Sequence, residues 1–281
     1  MPTSKQQRRQ AAQRHLQRQL ERRAELARKR RRNMLIVVTA LTAVVVVGAA
    51  LLFTGVFSSS DNSTAAAGST APASNSAAAR ATNADGTVSC AYLPDKSGNK
   101  SLKNVGTPPN PTATPTKGTS TLKMSTNQGN LTLTLDRAKA PCASASFAFL
   151  AQKKFFDNTV CHREVNQPTF GVLQCGDPTG TGSGGPSYTY NEEVTAATKY
   201  PRGTIAMANS GQPGSTGSQF FLCFTDAQLP PNYTVVGTVD AAGLAVLDKI
   251  AKAGNHGSFD PSPGGGAPKV PVKISSISVV S

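Results

Sequence analysis

Apolar residues recur at every second position between Leu122 and Leu135. Leu122 and Met124 are followed, after Asn127-Gln128-Gly129-Asn130, by Leu131, Leu133 and Leu135. Alternation with period two puts the apolar side chains on one face, so the stretch predicts two half-buried strands joined by a hairpin turn. Pro141 then opens a predicted helix, where its missing N–H costs no hydrogen bond, and Ala143, Phe147, Leu150 and Ala151 supply an apolar face. Short apolar runs come next between Gly- and Pro-rich loops, at residues 159–165, 172–175, 204–208, 219–225 and 235–239, each predicting a strand. A second amphipathic helix is expected over 241–253, with Leu244, Leu247 and Ile250 on one face, and a last alternating strand over 269–279. Many short strands with two helices predict a mainly β protein, a closed antiparallel barrel capped by the helices.

Upstream of residue 119 the pattern is different. Residues 34–57, Met34 to Phe57, carry no charge and are long enough to cross a bilayer as a helix, which takes ~20 residues. Residues 58–87 are rich in Ser, Ala, Thr and Asn and too poor in large apolar residues to fold alone. Prolines 94, 108, 109, 111 and 115 mark a second stretch of low order, and Val88, Cys90 and Tyr92 between the two form a patch able to dock on the downstream domain. The predicted organisation is an arm at 1–33, a membrane span at 34–57, a tether at 58–118 with its docking patch near 88–92, and a folded domain at 119–281.

Charge sharpens this picture. The formal net charge is +14, and residues 1–33 contribute +10 of it, with twelve Lys or Arg against Glu21 and Glu25. The folded part is only mildly basic, which argues against a nucleic-acid-binding face. A basic block directly before an apolar span stays in the cytoplasm and sends the rest of the chain outside. The expected location is therefore a single-pass anchor in the cell membrane, in contact with lipid, with an extracytoplasmic domain. A cleaved signal peptide is the less favoured reading, because its apolar core is usually ~7–15 residues.

Common catalytic signatures are missing: there is no G-x-S-x-G, H-E-x-x-H, C-x-x-C or phosphate-binding loop. His162 and His256 outside the arm do not assemble a triad or a metal site, so neither metal nor cofactor is expected. Other stretches are specific. Phe156-Asp-Asn-Thr-Val-Cys-His162-Arg163, Val172-Leu-Gln174-Cys-Gly176-Asp177, Gly180-Thr-Gly182-Ser-Gly184-Gly185, Ile205-Ala-Met207-Ala208-Asn209 and Gly217-Ser-Gln219-Phe-Phe221 occur in this order. Together they resemble the cyclophilin pattern from about Thr121 to the C-terminus.

That resemblance implies an eight-stranded barrel with two helices and a peptidyl-prolyl cis/trans isomerase acting on proline-containing polypeptides. By resemblance Arg163 is the cationic donor to the prolyl nitrogen, Gln174 holds it, and backbone groups of Asn209 bind the residue before proline. Val172, Phe221, Leu229 and Tyr233 match positions around the proline slot, and Gly182, Ala208, Ser210 and Gln219 match its rim. Without the family match, Phe221 and Leu229 would read as ordinary core, and Arg163 as a partner for Glu164 or Asp177. A binding module that holds proline peptides without turnover is the competing class, and it needs the slot more than it needs Arg163.

The sequence also departs from the pattern. Gly171 stands where relatives usually carry phenylalanine, and Phe170 is expected to fill the gap through a shifted loop. Tyr233 replaces a common histidine, and Gln228 a common tryptophan in a chain that has none. Weak binding of cyclosporin A, the ligand that defines the family, is expected from that substitution. Of the five cysteines, Cys161 and Cys175 fall on the two strands of the predicted hairpin and could face each other. Cys90 and Cys142 would then tie the docking patch to the first helix, leaving Cys223 as a buried thiol. Four cysteines still allow three pairings.

Overall fold

The computed structural model describes residues 82–260 and 262–280. The arm, the apolar run at 34–57 and the tether up to residue 81 lie outside these residues. Among the described residues no helix is long and apolar enough to cross a membrane.

The Leu122–Leu135 alternation becomes β1 (Thr119–Thr126) and β2 (Gly129–Asp136), paired antiparallel from Thr119↔Asp136 to Thr126↔Gly129. Seven further strands join them: β3 (Thr159–Val160), β4 (Arg163–Gln167), β5 (Phe170–Cys175), β6 (Thr204–Met207), β7 (Phe220–Cys223), β8 (Val235–Val239) and β9 (Lys273–Val279). Their spatial order is β3-β9-β1-β2-β8-β6-β7-β5-β4, all antiparallel. The two edge strands, β3 and β4, are separated in the chain only by Cys161 and His162. The sheet must therefore curl until its ends come together, although no ladder joins them.

The expected count was eight strands and the sheet has nine. Residues 159–165 do not run as one strand, because the Cys161 N–H turns to the carbonyl of Val272 while Glu164 pairs with Gly266. The last strand starts at Lys273 instead of residue 269, since Pro268 and Pro271 offer no N–H to a ladder.

Inside the curl, Leu122, Met124, Leu131, Leu133 and Leu135 pack with Phe147, Phe156, Phe220, Leu222 and Ile274, all buried. Helix α1 (Pro141–Gln152) begins at Pro141 as expected, but no side chain of its own caps it. Glu193 does so from a distant loop, its two carboxylate oxygens accepting from the N–H groups of Cys142 (3.1 Å) and Ala143 (2.7 Å). Helix α2 (Ala241–Ala253) has a local cap, the Asp240 carboxylate accepting from the Gly243 N–H at 2.8 Å.

Helix α1 is buried on more than the one face its pattern announced, Cys142 and Phe149 included. The second cover is the segment before the sheet. Cys90 is disulfide-bonded to Cys142, and the Tyr92 hydroxyl donates to the Cys142 carbonyl at 2.8 Å. Docking extends well past residues 88–92. Leu93–Pro94 pairs antiparallel with Tyr188–Thr189, Leu102–Lys103 runs parallel to Gly185–Pro186, and Thr114–Pro115 pairs with Thr87–Val88.

Candidate active site

Strand register assembles the site. Arg163 of β4 lies opposite Gln174 of β5, which lies opposite Phe221 of β7, which in turn faces Ala206 of β6. Two residues along the same face, Val165, Val172 and Cys223 form a second row. This is the side of the sheet away from the main core. Here Val165, Val172, Tyr200, Ala206, Phe221, Cys223 and Ala227 form a separate buried cluster, with Phe170, Ala208, Leu229 and Tyr233 packed at its half-exposed margin. Side-chain alternation thus divides each strand between a closed core and an open apolar hollow.

At the edge of the hollow, Arg163 donates from Nη1 to Gln174 Oε1 at 3.1 Å. Gln174 Nε2 donates to Gln219 Oε1 at 2.9 Å, and Gln219 Nε2 donates to the carbonyls of Gly182 and Gly184, each at 3.0 Å. Arg163 also donates from Nε to the Gly264 carbonyl (2.9 Å) and from Nη2 to the Pro263 carbonyl (2.6 Å). A guanidinium has five N–H donors in a rigid fork. Three are committed here, which fixes the plane and leaves two for a ligand. Burial lowers the Arg163 pKa, opposed by Tyr233 nearby, and an arginine in a protein still keeps its charge.

Arg163 pairs with neither of the two acids considered from sequence. Asp177 is buried and accepts from the N–H groups of Thr179, Thr181 and Gly182 and from the Thr179 hydroxyl. Burial raises its pKa, but those hydrogen bonds outweigh the burial and hold it below the ordinary value. It shapes the glycine loop that carries the Gly182 and Gly184 carbonyls. Glu164 points into the closed side of the sheet, fully buried, with no hydrogen-bond partner for either oxygen. Burial pushes its pKa up to about 7, only partly offset by Lys269. His162 is held below its usual pKa, mainly by burial, and its Nδ1 has no partner.

The Asn209 side chain folds back, donating from Nδ2 to the Asn232 carbonyl (2.9 Å) and accepting from the Gly211 N–H (3.0 Å). Its backbone is left to line the rim with Ala208 and the exposed Ser210. Gly182 is exposed on the opposite bank.

Three aromatic rings frame the hollow: Phe221 and Tyr233 meet edge to face at 5.5 Å, with Tyr200 at 6.3 and 6.1 Å from them. The Tyr200 hydroxyl accepts from the Tyr233 N–H at 2.9 Å and lies within hydrogen-bonding distance of the Pro230 and Tyr233 carbonyls. Sequence reading missed Tyr200. A lone aromatic before Pro201 in a polar stretch was the available signal. It also missed the Pro263 and Gly264 carbonyls, whose role no side chain announces.

The departure at Gly171 has a packing cause. A Cβ there would sit 2.5 Å from Thr225 Oγ1 and 2.6 Å from Phe224 Cε2. Phe170 instead packs at the margin of the hollow. Gln228 is exposed, and its N–H donates to the Thr169 carbonyl. Cys161 is bonded to Cys175, and Cys223 is a buried free thiol whose pKa burial pushes up to about 12. No group of three or more metal-ligating side chains occurs among the described residues.

Comparison with known proteins bears on this geometry. Residues 121–279 match the family described as "Cyclophilin type peptidyl-prolyl cis-trans isomerase/CLD". The chain is similar to the "Probable peptidyl-prolyl cis-trans isomerase B" of Mycobacterium leprae, 48% identical over 189 residues, covering 63% of each chain. It is 42% identical over 200 residues to the protein of the same description from Mycobacterium tuberculosis, covering 67% of this chain and 63% of that one. A "Peptidyl-prolyl cis-trans isomerase" of Helicobacter pylori is 43% identical over 128 residues, 44% of this chain and 76% of that one. The chain thus spans less than two thirds of the length of the mycobacterial relatives.

Proposed function

Because the chain belongs to the cyclophilin-type peptidyl-prolyl cis-trans isomerase family, we propose that it catalyses rotation about X-Pro bonds in exported or cell-envelope polypeptides and so assists their folding. The observation that carries this reading is one half-buried guanidinium, clamped by Gln174 and two carbonyls, at the lip of an apolar hollow.

The X-Pro amide resists rotation through resonance, a barrier of ~18–20 kcal/mol. Midway through the rotation the prolyl nitrogen recovers its lone pair and becomes a hydrogen-bond acceptor. A donor fixed beside that nitrogen favours the twisted amide over either planar isomer, which is the requirement for catalysis. Arg163 is assigned as this donor, with Gln174 as its support. Val172, Phe221, Leu229 and Tyr233 hold the proline ring, while the Asn209 backbone takes the preceding residue. Gly182, Ala208, Ser210 and Gln219 form the rim. Rotation breaks no bond, so the scheme asks for no nucleophile or metal.

Arg163→Ala in the full-length chain should lower kcat/KM for a proline peptide by about 10²–10³-fold, the loss of ~2.7–4 kcal/mol expected for one transition-state donor. Near-ultraviolet circular dichroism should stay native. Full turnover in a folded variant would overturn the assignment.

The closed eight-stranded barrel of the family is supported by counting residues 159–167 as one interrupted strand that pairs with β9 at its start and β5 at its end. Membrane anchorage with the domain outside is supported by the charge order of residues 1–57 and by the two disulfides, which persist in oxidising compartments. Protease added to intact spheroplasts should release the domain, and protection until lysis would refute the topology. Cyclosporin A should bind roughly tenfold or more weakly than to relatives with tryptophan at position 228, since an aromatic anchor commonly carries ~2 kcal/mol. Titration of the wild-type chain beside Gln228→Trp decides this: tight binding by the wild type would contradict it.

A further inference from the structure

A groove of about 570 Å3 opens next to the site and is lined on one side by Gln174, Asn209 and Gln219. Its lining also includes a bank of Asp95, Lys96, Ser97 and Asn99, residues upstream of the family match that starts at residue 121. This bank is held firmly. The ladders at Leu93–Pro94 and Leu102–Lys103 fix its ends, the Asp95 N–H donates to the Ser187 carbonyl (3.0 Å), and Asn99 Nδ2 donates to the Ser183 carbonyl (2.7 Å). The Cys90–Cys142 disulfide ties the same segment to helix α1.

We propose that residues 95–102 are a substrate-selecting wall, binding extended polypeptide on the N-terminal side of the X-Pro bond and favouring an acidic side chain opposite Lys96. The inference rests on the isomerase reading of the neighbouring site. Proline occupies the hollow of Val172, Phe221 and Leu229, none of which lines the groove. The residue before proline sits at Asn209, which does line it. A chain continuing past Asn209, away from the hollow, enters the groove.

The charges on the wall set its preference. The Asp95 carboxylate is engaged by its own turn, accepting from the Ser97 N–H at 2.7 Å. Lys96 is exposed, and no carboxylate among the described residues pairs with it. The side chain of Asn99 is already engaged at both ends, its oxygen accepting from the Ser101 N–H. Lys96 is accordingly the unpaired cation that lines the groove, since Lys100, exposed as well, does not line it.

The test uses the full-length protein and three peptides: a tetrapeptide with one residue before X-Pro, and the same peptide lengthened N-terminally by four residues that include either Glu or Lys. Both kcat/KM and Kd are measured. The Glu-lengthened peptide should gain about two- to fivefold on both measures, the range of one exposed ion pair, and the Lys-lengthened peptide should gain less. Lys96→Glu should reverse that order while leaving tetrapeptide turnover unchanged. Cys90→Ala combined with Cys142→Ala should abolish the gain from length. Equal Kd for all three peptides, or no response to Lys96→Glu, would overturn the wall while tetrapeptide turnover upheld the isomerase. Length-dependent Kd without any turnover would do the reverse.

Discussion

Residues 82–118 and the sheet downstream of them are ordered by different means. The sheet closes around fully buried Leu122, Leu133, Phe147 and Phe220, and removal of apolar surface from water holds it. The upstream segment buries only Val88, Cys90, Pro108 and Thr114, far too little to offset the entropy of ordering its chain. It is held by one disulfide, the Tyr92 hydroxyl bond and two two-residue ladders to residues 185–189, and a third ladder closes it on itself. A segment with no core of its own can still have a fixed shape when a folded neighbour supplies the surface.

Hydrogen exchange can break this comparison. Phe220 packs against both Phe147 and Phe156, and Phe220→Ala should cost about 3–5 kcal/mol, lowering protection across every strand together. Removing Cys90 and Cys142 opens a closed loop of 52 residues, for which chain entropy gives an upper value of ~4 kcal/mol. That loss should appear as fast exchange confined to residues 82–118, with the sheet unchanged. Loss of sheet protection in the cysteine variant would mean that the two regions fold as one.

A smaller effect sharpens the contrast from the sheet's side. The folded pKa of Glu164 is raised to about 7 from an ordinary 4.5, so the native state binds its proton more tightly than the unfolded chain does. Its contribution to stability is complete below pH ~4.5 and is lost as pH rises to about 7, on the order of 3 kcal/mol in all. Glu164→Gln should flatten this slope. Denaturant melts of both proteins between pH 5 and 8 measure it, and parallel curves would show that Glu164 ionises freely in the fold.

Much of the architecture was readable in advance, and the misses have physical causes. Period-two alternation placed β1 and β2, because their turn is short and one face of each is buried, while β8 was marked by its short apolar run. The 159–165 segment read as one strand because a disulfide and a backbone detour to Val272 leave no trace in hydrophobicity. Ordered motifs pointed to Arg163, Gln174 and Asn209, and register then brought Arg163 and Gln174 face to face. Backbone carbonyls at 263 and 264 were invisible, since any residue offers a carbonyl. The same holds for the wall at 95–102, where polar residues read as tether and only the ladders to residues 185–189 show otherwise.

The clamp on Arg163 has a consequence in time. Both of its anchoring backbone carbonyls lie about a hundred residues downstream, and β9, which pairs with both β1 and β3, is the last strand of the described residues. Synthesis runs from the N-terminus, so the guanidinium stays unaimed until residues 263 and 264 have emerged. A nascent or truncated copy would present the hollow and most of the rim without an oriented donor. An oriented guanidinium is thus acquired late, when residues 263–279 arrive.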